Sequence, residues 1–157
     1  MIVVTLGTQK FQMNRLIEAM DNLAANIDEE VFVQRGYSTY EPKYCKYENF
    51  LDNEKYKEVI ENCSVLLTHS GVGSIMTAIT SGKPVVVVPR LAEYGEHVDN
   101  HQVEIAEAFA RKGYVLTCNN IDELADTIEK ARTYKMKPYE VKGGKVEDII
   151  LNFMKLF

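Results

Sequence analysis

The chain has 157 residues, 46% of them hydrophobic and 26% charged, which is the composition of one ordinary globular domain. Its formal net charge of −5 argues against a nucleic-acid-binding protein, whose surface would carry a basic patch. Three widely separated cysteines, Cys45, Cys63 and Cys118, exclude a disulfide framework and predict free thiols in the cytoplasm. The opening apolar run, residues 1–6, is too short for a signal peptide, and we expect no direct membrane span.

Four short apolar runs predict the strands of a buried sheet. They are rich in valine and leucine and lack polar alternation, which is typical of strands covered on both faces in a parallel sheet. The runs are residues 3–6, 31–33, 65–67 and 85–88, and a further strand is predicted at 115–117. Four tyrosines within residues 37–47 predict an aromatic-rich loop that leads into an irregular strand.

Helical spacing of apolar residues separates these strands. Repeats at three and four residues predict helices over 13–27, 56–63, about 72–81 and about 99–112. In the last of these, Asp99 is the expected N-cap, Gln102 occupies the capping-box position and Gly113 ends the helix. Asn120 and Glu123 form a second expected capping box before another helix.

This alternation of strands and helices predicts an α/β fold, specifically an open parallel-sheet, Rossmann-like, three-layer domain over residues 1–133. Residues 134–157 are then a linker followed by an amphipathic C-terminal helix. The apolar face of this helix carries Val146, Ile149, Ile150, Phe153 and Phe157. We expect the helix to pack on the domain itself or on a partner protein.

The most unusual residues follow three of the predicted strands, at the edge where open α/β sheets bind ligands. Gly7 and Thr8 follow the first strand, the stretch HSGVGS at 69–74 follows the third, and Arg90 follows the fourth. The glycines of the second loop allow a sharp turn, and the helix after it offers unpaired amides and the positive end of its dipole. This combination predicts a phosphate site, although a plain strand-to-helix turn would also use glycine.

Other chemistries fit these loops less well. The Walker A and GxGxxG fingerprints are absent. A serine hydrolase would need glycine two residues before Ser70, where this chain has Thr68. His97 and His101 are four residues apart, but the expected helix start at Asp99 lies between them, so they make a poor metal pair.

Three stretches in order resemble the nucleotide-sugar-binding, C-terminal half of GT-B glycosyltransferases. They are VTLGTQKF, CSVLLTHSGVGSIMTAITSGKPVVVVPR and EHVDNHQVEIAEAF, all within about residues 1–115. The chain is most similar to small stand-alone subunits with a family 28 C-terminal-like domain. Such subunits occur in the two-subunit N-acetylglucosaminyltransferase of the dolichol pathway and in bacterial capsule and exopolysaccharide transferases.

The resemblance implies roles for individual residues. Those matching the diphosphate-binding loops are Gly7, Thr8, His69, Ser70, Gly71, Val72, Gly73 and Ser74. Those matching or flanking the segments that contact the ribose or the donor sugar are Thr77, Arg90, Glu96, His97, Asp99, His101 and Gln102. Structural alternatives stay open for several of these: Asp99 and Gln102 as helix caps, His97 as a surface histidine, and Arg90 as a solvated loop arginine.

One position departs from the pattern. Many relatives carry an acidic residue three positions after Ser74, where it holds the ribose hydroxyls, and this chain has Thr77. A threonine forms a weaker hydrogen bond than a carboxylate, so the ribose contact is in doubt.

The function implied by the resemblance is that of the donor-binding catalytic subunit of an inverting UDP-sugar glycosyltransferase, which adds a hexose to a lipid-linked saccharide in exopolysaccharide or capsule synthesis. The alternative is a non-catalytic nucleotide-sugar-binding regulatory subunit. A nucleotide-sugar epimerase is disfavoured because it needs a full second domain.

The implied partner is a membrane-anchored, acceptor-binding subunit that brings the general base, so the catalytic residue stays unassigned. The chain would be cytoplasmic and peripheral at the inner face of the membrane through that partner. It would need no metal or other cofactor, because helix amides can stabilise the departing diphosphate. Residues 130–145 carry six lysines or arginines and one acidic residue, Glu140. The C-terminal helix and this basic segment before it are the expected docking surfaces.

Overall fold

A computed structural model of the chain describes residues 1–139. The strands are β1 (Ile2–Thr5), β2 (Val31–Gln34), β3 (Lys46–Glu48), β4 (Val65–His69), β5 (Val85–Val88) and β6 (Leu116–Thr117). The helices are α1 (Asn14–Ala24), α2 (Asn53–Glu61), α3 (Val72–Thr80), α4 (His101–Arg111) and α5 (Leu124–Thr133). The expected C-terminal helix lies outside the described residues.

The six strands form one parallel sheet, with the order β3-β2-β1-β4-β5-β6. The predicted parallel α/β sheet is therefore confirmed. The chain first builds outward from β1 to β3 and then returns to place β4 against the other side of β1. The strand order reverses between β1 and β4, and this is the position where folds of this kind bind their ligands.

Alternate residues of each central strand enter two separate hydrophobic cores. Ile2 and Val4 of β1 face one core, which α1 and α5 cover, whereas Val3 faces the other, which α2, α3 and α4 cover. Every residue of β1, β2, β4 and β5 is buried, which explains why the four apolar runs lack polar alternation. The three-layer arrangement is confirmed.

Helix ends differ from the predictions in detail. The helix α4 begins at His101 with Asn100 as N-cap, so the predicted N-cap at Asp99 is one residue early. The Oδ1 atom of Asp99 nevertheless accepts a hydrogen bond from the His101 amide, at 2.9 Å. Asn120 caps a 3₁₀ turn before α5, and its side chain accepts from the Asp122 amide. The predicted stop at Gly113 is confirmed by its φ of +82°.

The aromatic-rich loop is held by a buried carboxylate that the sequence reasoning missed. Asp21 of α1 accepts hydrogen bonds from the amides of Lys43, Tyr44 and Cys45, at 3.0, 2.7 and 3.1 Å. Burial alone would raise the pKa of Asp21, but these three amides lower it below its usual value. The loop then enters β3, whose three residues are all exposed, so the irregular strand is confirmed at the edge of the sheet.

Within residues 1–139, none of the helices has both the length and the apolar character needed to cross a bilayer. The three cysteines are buried free thiols, as expected. The stretch 134–139 has no regular secondary structure, and the Lys137 amide donates to the Gly113 carbonyl, at 2.8 Å.

At the opposite end of the sheet, Glu29 joins segments that are distant in sequence. Its carboxylate accepts from the hydroxyl of Ser64 and from the guanidinium of Arg132, and it pairs with the Met1 amino group. Burial alone would raise the pKa of Glu29, but these partners lower it from 4.5 to about 2. The ionised carboxylate therefore ties β1, α5 and the start of β4 together.

We predict that Glu29→Gln lowers the free energy of unfolding by about 2 kcal/mol at pH 7. Because the folded pKa is depressed, the stabilisation is full above the ordinary pKa of 4.5 and is lost as pH falls toward about 2. Urea unfolding of both proteins at pH 7 and pH 3 measures this difference. Glu30→Gln is the matched control, because Glu30 pairs with Lys46 at an exposed site and its loss is expected to cost under about 0.5 kcal/mol. Equal losses for the two variants would contradict the prediction.

Candidate functional site

The candidate site lies where the strand order reverses. The strands β1 and β4 are neighbours, so the loops that follow them emerge side by side at the carboxyl edge of the sheet. The first loop carries Gly7 and Thr8, and the second runs through Ser70 and Gly71 into α3. The loop between β5 and α4 lies against the first loop, where the ring centroids of His97 and Phe11 are 5.6 Å apart.

The start of α3 is open to an anion. Gly71 is the N-cap, and no side chain caps this helix end. The first amide to pair back within the helix is that of Ile75, which donates to the Gly71 carbonyl at 2.9 Å. The amides of Val72, Gly73 and Ser74 consequently have no helical carbonyl to bind. They stand at the positive end of the helix dipole, which is the arrangement that favours phosphate.

Two glycines make room for the His69 ring at this edge. A Cβ atom on Gly7 would lie 2.6 Å from Nε2 of His69, and a Cβ atom on Gly71 would lie 2.6 Å from its Cε1. Gly7 also has a φ of +69°, a conformation that other residues rarely adopt. Close packing around the ring therefore favours glycine at both positions, and the turn additionally favours it at Gly7.

His69 is buried and hydrogen-bonded through both ring nitrogens. Its Nδ1 atom accepts from Nε of Arg90 at 3.2 Å, and its Nε2 atom is 3.0 Å from Oγ of Ser74. Burial, and then the nearby positive charge of Arg90, lower the pKa of His69 to about 3. The ring is therefore neutral near pH 7 and is a poor general base.

Arg90 is buried, with only 1% of its surface exposed. Its guanidinium donates to the carbonyls of Leu6 and Phe11, at 2.7 and 3.0 Å, in addition to His69. This corrects both expectations for Arg90: it is not a solvated loop arginine, and its side chain turns inward instead of extending toward the ribose or the donor sugar. Sequence position alone could not show that the side chain turns inward.

Ser70 and Gln102 are structural partners. The Ser70 hydroxyl is fully buried and donates to the Gln102 carbonyl at 2.5 Å, which excludes it as an exposed nucleophile. The Gln102 side chain accepts from the Arg90 amide at 3.2 Å and is 3% exposed. The expectation that Gln102 caps its own helix is therefore wrong, and its Oε1 atom is bonded to the protein instead of facing a donor sugar.

Glu96 is also a structural residue. Its carboxylate is fully buried, pairs with Arg15 at 2.9 Å and accepts from the Leu91 amide at 3.0 Å. This corrects the expectation that Glu96 lies beside a donor sugar, because burial and the Arg15 pair hold it inside the loop. The pair joins α1 to the loop after β5.

The remaining predicted residues lie at the surface of this edge. Thr8, Thr77, Asp99 and His101 are exposed, and His97 is partly exposed. The Thr77 hydroxyl donates to the Gly73 carbonyl within α3, at 2.9 Å, so its proton is engaged while its lone pairs stay available to accept. Asp99 lies 3.3 Å from Nδ1 of His97.

Gln34, at the end of β2, was missed from the sequence. Its Oε1 atom accepts from the amides of Leu6 and Gly7, at 2.9 and 3.0 Å, and its Nε2 atom donates to the carbonyls of Gly7 and Asn49, both at 3.0 Å. This one amide side chain fixes the first loop from behind. A polar residue ending an otherwise apolar run, VFVQ, was the available signal.

The described residues contain no group of three or more histidine, cysteine or acidic side chains able to hold a metal ion.

The comparisons with known proteins agree on one family. Residues 1–153 match the glycosyltransferase family 28 C-terminal domain. The UDP-N-acetylglucosamine transferase subunit ALG13 of Mus musculus is 29% identical over 127 residues, which are 73% of this chain and 10% of the mouse protein. A UDP-N-acetylglucosamine–N-acetylmuramyl-(pentapeptide) pyrophosphoryl-undecaprenol N-acetylglucosamine transferase of Prochlorococcus marinus (strain MIT 9215) is 31% identical over 128 residues, which are 76% of this chain and 33% of that protein. The chain thus spans a third or less of either relative.

Solved structures show the same fold. The NMR solution structure of ALG13 superposes with a TM-score of 0.59 at 18% identity, covering 99% of this chain and 93% of that one. The fold is that of the C-terminal, Rossmann-like domain of GT-B glycosyltransferases.

We predict that Gly71→Ala destabilises the protein by about 1–3 kcal/mol, because the new methyl group would overlap the His69 ring. Gly73→Ala is the matched control on the same loop, since nothing lies within 4 Å of its Cβ position and alanine favours a helix. Urea unfolding of the three proteins measures both changes. A Gly71→Ala protein as stable as the Gly73→Ala protein would show that the ring is not confined in this way.

Proposed function

Because the chain belongs to the glycosyltransferase family 28 C-terminal domain family, we propose that it is the donor-binding part of a UDP-sugar glycosyltransferase. The observation that carries the proposal is the uncapped start of α3 at the reversal of the strand order. Its amides, together with the Ser74 hydroxyl, form a diphosphate site beside Gly7. The mouse relative named above is a UDP-N-acetylglucosamine transferase subunit, which supports the same donor class.

The proposed chemistry needs stabilisation of a leaving group. When a sugar leaves UDP, negative charge develops on the departing diphosphate, and amides already aimed at that position lower the barrier. Such a site holds the charge without a metal, so we propose metal-independent transfer. UDP binding that persists in excess chelator would support this part, and binding that requires added divalent cation would overturn it.

The general base is proposed to come from a partner. The buried histidine of the site is His69. Both of its ring nitrogens are hydrogen-bonded, and burial together with the Arg90 charge lowers its pKa to about 3. It is therefore unsuited to take a proton from an acceptor hydroxyl near pH 7. A base opposite the leaving group on a second domain would give inversion at the sugar carbon, which we keep as part of the proposal.

The donor and acceptor are proposed from the relatives. Both named relatives are N-acetylglucosamine transferases, and the Prochlorococcus protein acts on a pyrophosphoryl-undecaprenol lipid. We propose UDP-N-acetylglucosamine as the first hexose donor to test and a lipid-linked saccharide as acceptor. The exopolysaccharide or capsule setting inferred from the sequence stays a prediction.

The partner is proposed to be a membrane-anchored, acceptor-binding subunit. The chain spans a third or less of the named relatives, and the mouse relative is itself called a subunit. Association with such a partner would hold this chain at the inner face of the membrane. The C-terminal helix expected from the sequence and the basic segment of residues 130–145 are the proposed docking surfaces.

The regulatory alternative keeps one specific observation in its favour. The family's acidic ribose contact is replaced by Thr77, whose proton is engaged with the Gly73 carbonyl. A weakened ribose contact would suit a subunit that senses nucleotide sugar without turning it over. The two functions differ in whether the diphosphate site is needed for sugar transfer.

We predict that Gly73→Asp lowers the affinity for UDP by at least ~10-fold, because a carboxylate at the helix start repels the diphosphate. The fold should be retained, since a Cβ at Gly73 meets open space and an acidic residue is favourable in a first helical turn. Gly73→Asn is the matched control of equal size, and we expect it to lose less affinity. Isothermal titration with UDP measures all three proteins. Undiminished UDP binding by the aspartate variant would overturn the proposed site.

We predict that the purified chain binds UDP yet transfers little sugar until its acceptor-binding partner is added. The assay is transfer of labelled UDP-N-acetylglucosamine to a membrane lipid acceptor, with and without the co-purified partner. Robust transfer by the chain alone would refute the divided enzyme. In the assembled complex, Gly73→Asp should reduce turnover of a donor-site enzyme, whereas unchanged turnover would favour the regulatory alternative.

A further inference from the structure

We propose that Arg90 is a positioning residue, which acts through His69 to make the Ser74 hydroxyl a donor directed at the diphosphate. The inference rests on the proposed function and deepens it. Arg90 would not touch the substrate. It would act on the ligand across two successive hydrogen bonds, from Arg90 to His69 and from His69 to Ser74.

The first step is the fixed orientation of Arg90. Its guanidinium lies beneath the site and donates to the Leu6 carbonyl at 2.7 Å and to the Phe11 carbonyl at 3.0 Å. These bonds leave Nε directed at Nδ1 of His69, at 3.2 Å. A guanidinium has only donors, so Nδ1 has to be the acceptor.

The second step is the tautomer of His69. In a neutral imidazole one nitrogen accepts and the other carries the proton, so an accepting Nδ1 places the proton on Nε2. The Nε2 atom is 3.0 Å from Oγ of Ser74, and in this tautomer it donates to that oxygen. A doubly protonated ring is disfavoured because the ring is buried beside the Arg90 charge.

The third step is the direction of the Ser74 proton. Because Oγ of Ser74 accepts from His69, its own proton must point to another acceptor. Ser74 stands in the first turn of α3 and is partly exposed. A diphosphate oxygen at this helix start would receive that proton together with the neighbouring amides. With the opposite tautomer, Ser74 would donate to the ring and would present only lone pairs to an anion.

The ring itself has little freedom to reorient. Gly7 and Gly71 lie so close to it that a Cβ atom on either would be within 2.6 Å of a ring atom. The chain of hydrogen bonds is thus built into the packing, and it does not depend on an ordered ligand. An arginine with a purely structural role would make the carbonyl contacts without determining which nitrogen of His69 carries the proton.

The first test reads the tautomer directly in the wild-type chain. A two-bond ¹H–¹⁵N correlation spectrum separates the protonated and unprotonated ring nitrogens of each histidine. The chain has three histidines, so single His97→Gln and His101→Gln variants complete the assignment. We expect the proton of His69 on Nε2 at pH 7 without ligand. A proton on Nδ1 would overturn the inference, whatever the outcome of UDP binding.

The second test is a double-mutant cycle on UDP affinity. Ser74→Ala removes the proposed donor, and we expect a loss of ~10-fold. Arg90→Lys keeps the positive charge but removes the Nε donor, and we expect a loss of ~5- to 10-fold with a shifted His69 tautomer. If Arg90 acts through Ser74, the double variant should bind UDP about as weakly as Ser74→Ala alone. Losses that multiply would overturn the inference.

Two outcomes separate this inference from the proposed function. If the wild-type chain fails to bind UDP, the proposed function fails, whatever the tautomer. If UDP binds through the α3 amides but the affinity losses of the two single variants multiply in the double variant, the function stands and the positioning role is rejected. Thermal unfolding of each variant checks that the fold is retained. If Arg90→Lys does not fold, the wild-type tautomer decides the question alone.

Discussion

The buried guanidinium of Arg90 is the interaction on which the edge of this sheet depends. It joins the end of β1, the loop before α1 and the end of β4 through carbonyls and an imidazole. A cation placed there is costly to bury, and hydrogen bonds from Nε and from both terminal nitrogens offset that cost. Arg90 itself follows β5, so these bonds hold the loops after β1, β4 and β5 in one arrangement around the start of α3.

Polar groups that support the candidate site are engaged before any ligand arrives. Gln34 fixes the first loop from behind, Ser70 bonds to α4, and Glu96 joins α1 to the loop after β5 through Arg15. The amides of the first turn of α3 have no capping side chain, so they remain available to an anion together with the hydroxyl of Ser74. Preorganised dipoles of this kind need little rearrangement as charge develops, which is what a departing diphosphate requires.

Much of the fold could be predicted from the sequence because its signals are local. Fully buried strands such as VVVV at 85–88 have no polar alternation, and glycine after the end of α4 marks a stop. The uncapped helix start at residues 71–74 could also be predicted, since it depends on the residues of one loop.

The supporting contacts could not be predicted in the same way. Arg90 bonds to a carbonyl 84 residues away, and Gln34 to an amide 27 residues away. Nothing in the neighbouring sequence distinguishes a buried arginine, glutamate or aspartate from a solvated one. For that reason Arg90 and Glu96 were assigned outward-facing roles, and Asp21 was missed.

The two edges of the sheet also limit how other proteins can associate with it. The strand β3 is three residues long, fully exposed and carries Lys46 and Glu48, while β6 has only two residues. Such short edge strands offer few backbone groups for strand addition, and the charges on β3 further protect the sheet from joining that of another chain. A protein that binds residues 1–139 would therefore contact side chains on helices and loops, which can diverge in sequence without disturbing the sheet.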